Sequence, residues 1–161
     1  MIQQKCVLTG LLLVLSLPLT TTAQPQLDAD IVTITQNGHV AALAVWMADG
    51  GDINGITKQG NTLLMIAATT GDLAMVDYLI SQYADLNAQN KVGATALMIA
   101  AKYGHTEVLG RLLDHNANPM IRTRDGISAA RFALVNQHSE AYKLLRDAEV
   151  SARLKEMEAN S

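Results

Sequence analysis

Apolar side chains recur along this chain on two nested scales. Within residues 60–87, GNTLLMIAATTGDLAMVDYLISQYADLN, the positions Leu63, Leu64, Ile66, Ala67 and Ala68 predict a short helix with a small-sided apolar surface. Val76, Leu79 and Ile80 follow as the stripe of a second helix. Thr62 stands where its hydroxyl caps the first helix, and Asp72 suits the positive N-terminal end of the second. The same choices return from Gly93 onward in GATALMIAAKYGHTEVLGRLLDHNANPM, as Thr95, Leu97, Ile99, Ala100 and Ala101, then Val108, Leu112 and Leu113. One further period reaches Gly126 and the looser GISAARFALVNQHSEAYKLL, and one period back from Gly71 is Gly38 of NGHVAALAVWMADGGDIN. A period of about 33 residues predicts a stacked array, in which each unit buries its apolar face only against its neighbours.

The end units read as caps. Residues 28–36 fill the first-helix slot of the first unit, with Asp28, Asp30, Thr33, Thr35 and Gln36 as outward polar positions among Ile31, Val32 and Ile34. Asn37-Gly38 makes the turn, and Val40, Leu43, Ala44 and Met47 form the buried stripe of the helix over 40–48, with Trp46 packed against the first-repeat turn. Asn54-Gly55 suits positive φ and predicts a tight hairpin-like turn projecting between units. The last helix, 139 to about 158, covers the open flank with Ala141, Leu144, Leu145 and Ala148. Beyond Val150 it is mostly charged, and Glu149 with Arg153 forms an i, i+4 pair. That pattern describes a solvated capping helix; a partner-binding helix is the alternative.

These residues resemble ankyrin repeats. The family pattern Gly-x-Thr-Pro-Leu-His-x-Ala-Ala is matched by residues 60–68, and its later elements by Gly71, Val76, Leu79, the Ala84-Asp85-Leu86-Asn87 run, and Gly104-His105 with Val108. The resemblance covers essentially all of residues 28–148. It implies an all-α solenoid of about four helix-turn-helix repeats, at 28–54, 55–87, 88–120 and 121–148, joined by hairpin-like turns. Where the family has Pro this chain has Leu63, Ala96 and Ala129, and where it has His, Met65, Met98 and Arg131. Tyr83 and Asn116 occupy the family's glycine slot after the second helix, so Tyr83 is an expected point of strain of about 1 kcal/mol. In the fourth repeat Ser128 replaces the capping Thr and Gln137 the glycine after the first helix.

Composition changes this picture mainly at the N-terminus. Lys5, an apolar run over 7–19 and the small residues Thr21, Thr22 and Ala23 read as an export signal over residues 1–23, cleaved after Ala23. The run is short of the roughly 20 residues that cross a bilayer, which disfavours an uncleaved anchor. Cys6 precedes the run, which disfavours a lipoprotein. Cleavage would leave 24–161 without cysteine, so packing alone would hold it in an oxidising compartment. It would also leave 11 basic against 15 acidic side chains, a net charge of −4 that argues against nucleic acid as a partner. The expected location is periplasmic or secreted, with no membrane association after cleavage and a monomeric array.

Candidate chemistry dissolves into the repeat. His39 and His105 share one repeat position, two periods apart, and His115 and His138 are placed singly in turns, which gives no metal-ligand spacing. Thr62, Thr95 and Ser128 serve as caps rather than nucleophiles, and GxSxG, P-loop and GxGxxG motifs are absent. Met65 and Met98 fill core space rather than a sulfur-lined cofactor groove. Neither catalysis, cofactor nor metal is expected.

By the resemblance, partners dock on the hairpin tips and the exposed edge of the first helices. The matching positions here are Ile56, Lys58, Gln59, Asn61, Thr69 and Thr70; then Gln89, Lys91, Val92, Lys102 and Tyr103; then Arg122, Arg124, Asp125, Val135 and Asn136. Five of these are basic and one acidic, while acids such as Asp72, Asp77, Glu107, Asp114 and Glu140 fall on second helices. This polarity would steer an acidic protein to the concave face, against the plainer reading that Lys and Arg are common at turn tips. The resemblance to exported bacterial ankyrin proteins further implies either an accessory factor supporting an antioxidant enzyme such as a catalase, or an immunity-type inhibitor of a toxic effector. An enzyme is the third and weakest class.

Overall fold

The computed structural model describes residues 29–159. The expected export signal, Cys6 and Asp28 lie outside the described residues. Within them, eight α-helices form four pairs: α1 (Ala29–Gln36) and α2 (Val40–Ala48), α3 (Leu63–Thr70) and α4 (Leu73–Ser81), α5 (Ala96–Tyr103) and α6 (Thr106–Asp114), α7 (Ala129–Val135) and α8 (Ser139–Ala159). First helices touch in the order α1, α3, α5, α7 and second helices in the order α2, α4, α6, α8. The architecture is an all-α solenoid of four repeats, built as two rows of helices.

Side-chain caps set where four of the helices begin. The hydroxyls of Thr62, Thr95 and Ser128 accept hydrogen bonds from the backbone N–H of Met65, Met98 and Arg131 at 3.3, 3.4 and 3.4 Å. Each satisfies one of the donors that a helix start leaves unpaired. The Asp72 carboxylate does the same for Met75 N–H at 3.0 Å and starts α4. Between the rows, Leu63, Leu64, Met65, Ala67 and Ala68 are buried, as are Leu97, Met98, Ala100 and Ala101 one period later. Alanine at the crowded positions lets neighbouring first helices approach closely, and both methionines are core filler.

Gly71 and Gly104, in left-handed conformation, end α3 and α5. A methyl group on either would sit 2.5 Å from Nδ1 of His105 or His138 respectively. The glycine thus opens the room that the next repeat's histidine fills. Each histidine donates Nε2–H to a carbonyl at the end of the preceding first helix, His105 to Thr69 and His138 to Lys102, both at 3.1 Å. His138 is therefore not an isolated turn residue, as expected from sequence, but the next member of the His39, Asp72, His105 column.

Several local expectations are corrected. Neither Asn54 nor Gly55 has positive φ. The tight turn lies further on, at residues 57–60, closed by Thr57 N–H to Asn61 O at 3.0 Å and Gly60 N–H to Thr57 O at 2.8 Å, with Gly60 at φ 80°. Asn54 instead bends over Asp52 and receives Asp85 N–H on its side-chain oxygen at 2.9 Å, tying repeat one to repeat two. Thr35 is buried rather than outward, because its column faces the next repeat; its hydroxyl donates to Ile31 O at 2.9 Å. In α2 only Leu43 is fully buried, while Val40, Ala44 and Met47 are half-buried, since an end helix has a single stacked neighbour. Trp46 is half-buried against Gly51, where an added methyl would strike its ring. In α8 the buried face is Ala141, Leu145 and Glu149, and Glu149 pairs with Arg146 at 3.3 Å rather than with the exposed Arg153.

Candidate binding face

Three hairpin tips stand in register along one edge of the array. Lys91 N–H donates to Gln59 O at 3.2 Å and Arg124 N–H to Val92 O at 3.1 Å, so each tip is bonded to the one before it. Side-chain amides reinforce the edge. Asn90 Nδ2 donates to Asn61 Oδ1 at 2.8 Å, and Gln89 Nε2 to Gly93 O at 2.8 Å and to Arg122 O at 3.2 Å. Further back, Asn87 Oδ1 accepts Asn118 N–H at 2.8 Å. This ladder fixes the spacing of the tips.

The sixteen residues expected from sequence fall on two rows. Ile56, Lys58, Gln59 and Asn61, then Gln89, Lys91 and Val92, then Arg122, Arg124 and Asp125 lie on or beside the tips. Thr69 and Thr70, Lys102 and Tyr103, and Val135 and Asn136 form the edge at the C-terminal ends of α3, α5 and α7. Gln36 and Asn37, exposed at the end of α1, continue this edge by the same offset and were not among the expected residues.

The two rows separate into structural and available side chains. Ile56 is half-buried in a bridge to Thr62, and Asn61 in the amide ladder. The hydroxyls of Thr69 and Thr70 donate to Met65 O and Ala67 O, both at 3.0 Å. Arg122 Nη1 donates to Gly126 O at 3.2 Å, and Asn136 Nδ2 to Phe132 O at 2.8 Å. By contrast Lys58, Gln59, Lys91, Arg124 and Asp125 are exposed and make no side-chain hydrogen bond or ion pair among the described residues. At the centre of the inner edge, Tyr103 is 47 % exposed, with Lys102 Nζ 5.4 Å from its ring centre. Its ring stacks on that of His105 at 6.2 Å and 25°. Val135, 68 % exposed, stands one period after Lys102. Leu134, 55 % exposed, was missed; Leu in a column that is otherwise Thr35, Ala68 and Ala101 was the available signal.

The opposite row carries acids and bases together, with Arg111 on α6 and Lys143, Arg146, Arg153 and Lys155 on α8. Asp77 on α4 meets Arg111 on α6 at 3.2 Å. That Asp77 oxygen is shut off from water yet receives no aligned hydrogen bond, and both side chains are more than a third exposed, so the pair adds little stability. Among the described residues no group of three or more His, Cys, Asp or Glu could hold a metal ion, and no helix is long and apolar enough to cross a membrane.

Stacked helix pairs, glycine-ended first helices, Thr caps and bonded hairpin tips define a helical-repeat protein of the kind that presents an extended surface to other proteins. The chain belongs to the ankyrin-repeat family: a model of ankyrin repeats in three copies matches residues 64–155, and one of ankyrin repeats in many copies matches residues 32–80. Such repeats are generally protein–protein interaction modules. No curated protein matches the sequence.

Proposed function

We propose that this chain is an exported, non-catalytic binding module of the cell envelope that holds an acidic partner protein on its tips and inner edge. The observation that carries this reading is the cluster of exposed basic, aromatic and apolar side chains on the tip and inner-edge rows. Lys58, Lys91, Lys102 and Arg124 with Val92, Tyr103 and Val135 lie on the tip and inner-edge rows, while Asp72, Asp77, Glu107, Asp114 and Glu140 lie on or at the start of second helices. Exposed Tyr and Arg are enriched among the residues that carry binding energy, and a cluster of positive charge speeds the encounter with an acidic partner. The array needs no second copy to offer these rows.

Resemblance to exported bacterial ankyrin proteins supports a role as accessory factor to an antioxidant enzyme such as a catalase. Under the immunity-type alternative the partner would be a secreted hydrolase. Capture from an envelope extract followed by mass spectrometry separates the two: a haem enzyme is expected on the first reading and a lipase or hydrolase on the second. Replacing Tyr103 with Ala together with Val135 with Ser should weaken capture about tenfold or more without altering the helical content. Undiminished capture by that variant refutes docking on the inner edge.

A further inference from the structure

The cations on the tips form a column. Lys58, Lys91 and Arg124 stand one period apart and occupy the same place in three successive hairpins. The interlocked tips, Lys91 N–H on Gln59 O and Arg124 N–H on Val92 O, hold this column in step with the stacked helices. Arg122, though also basic, stands out of this register, and its guanidinium donates to Gly126 O. Among the described residues none of the three column cations has an anionic partner, and the only acid within the tips is Asp125 beside Arg124. The result is three exposed positive charges repeating at the spacing of packed helices, about 8–10 Å.

We propose that this column binds an acidic segment in polyproline II conformation carrying a carboxylate at every third residue. The proposal rests on the reading of the chain as a protein-binding array and names the chemistry of the partner's docking segment. A polyproline II helix has three residues per turn and rises about 3.1 Å per residue, so residues i, i+3 and i+6 share one face at steps of about 9.3 Å. That step matches the repeat. In an extended β-strand residues on one face are about 6.6 Å apart, and two such steps fall several ångström short of the third cation. An α-helix returns to the same face every seven residues, at about 10.5 Å, but needs fifteen residues to place three carboxylates, a length only marginally helical in water. Polyproline II places them within seven residues and is already populated before binding, so little ordering entropy is lost. The exposed Val92, between Lys91 and Arg124 in the order of the chain, offers apolar contact to the intervening prolines.

The test uses the full chain and two blocked peptides of one composition, Glu-Pro-Pro-Glu-Pro-Pro-Glu and Pro-Glu-Glu-Glu-Pro-Pro-Pro, titrated by fluorescence anisotropy at low and physiological salt. The first peptide should bind at least about fivefold tighter. Each of Lys58→Gln, Lys91→Gln and Arg124→Gln should weaken it about two- to fivefold, and Lys143→Gln, at an exposed cation on α8 away from the tips, should not. Circular dichroism confirms that these surface variants remain folded. Equal affinity for the two peptides, absence of binding by either, or tighter binding of an acidic helix with carboxylates seven residues apart overturns the proposal. The inner-edge reading fails separately: if the peptides fail but Tyr103→Ala with Val135→Ser abolishes partner capture, only the polyproline II proposal falls.

Discussion

At Tyr83 the backbone has φ 62°, in the left-handed region that disfavours side chains with a β-carbon, and the ring is 91 % exposed. Its counterparts at the same offset are Gly50 at φ 91° and Asn116 at φ 65°, residues that tolerate this conformation better. The strain expected from the family's glycine slot is therefore present, with no buried contact to offset it. Tyr83→Gly should raise stability by about 1 kcal/mol, read as a higher urea midpoint at unchanged m. A lower midpoint would show that the exposed ring contributes a stabilising contact. Gly110 is a second residue-scale case. It lies in the middle of α6, and a methyl there would meet nothing within 4 Å. Gly110→Ala should stabilise by roughly 0.5–1 kcal/mol, and a thermal melt showing no gain would count against this reading of α6.

Within the elements, the sister second helices α4 and α6 each have nine residues, whereas α8 has 21. Its buried face ends at Glu149, and residues 153–159 are exposed throughout. Ending the chain after Ala152 should therefore shift stability by less than about 1 kcal/mol, whereas Leu145→Ala, at a fully buried site, should cost about 2–4 kcal/mol. Comparable losses from the two changes would mean that the terminal turns pack on something beyond the array. The caps act on the same scale: Thr95→Ala leaves Met98 N–H without its acceptor and should cost about 1 kcal/mol, which Thr95→Ser should largely spare.

Across the whole molecule, stability is a sum over repeats and the interfaces between them. Among the described residues the middle pairs, α3 with α4 and α5 with α6, have stacked neighbours on both sides, whereas α1 and α2 have them on one side only. Amide hydrogen exchange should accordingly be slowest in α3 and α5 and fastest in α2. Uniform protection across all four repeats would show instead that the array opens as one cooperative unit. The tip and inner-edge rows are themselves whole-molecule features, since each repeat supplies only two to four side chains to a row and only stacking aligns them.

The sequence by itself determined the repeat, the apolar positions of each pair and the Thr caps, because these depend on spacing of a few residues and on a period that one chain displays four times over. It also located the positive-φ slot at Tyr83, since that conformation follows from the glycine position in the repeat. Only the tertiary structure decided what crosses from one repeat to the next. Asn54 reads locally as the first half of an Asn-Gly turn, but Asp85 N–H is its partner. Glu149 reads as half of an i, i+4 pair with Arg153, but burial against the array leaves Arg146 as its partner. The candidate face divides for the same physical reason. Lys58, Lys91 and Arg124 remain uncommitted, while Asn61, Gln89 and Arg122 are held by hydrogen bonds within the edge of the array. Two of these three reach the neighbouring tip, a whole repeat away in sequence, which no local pattern encodes.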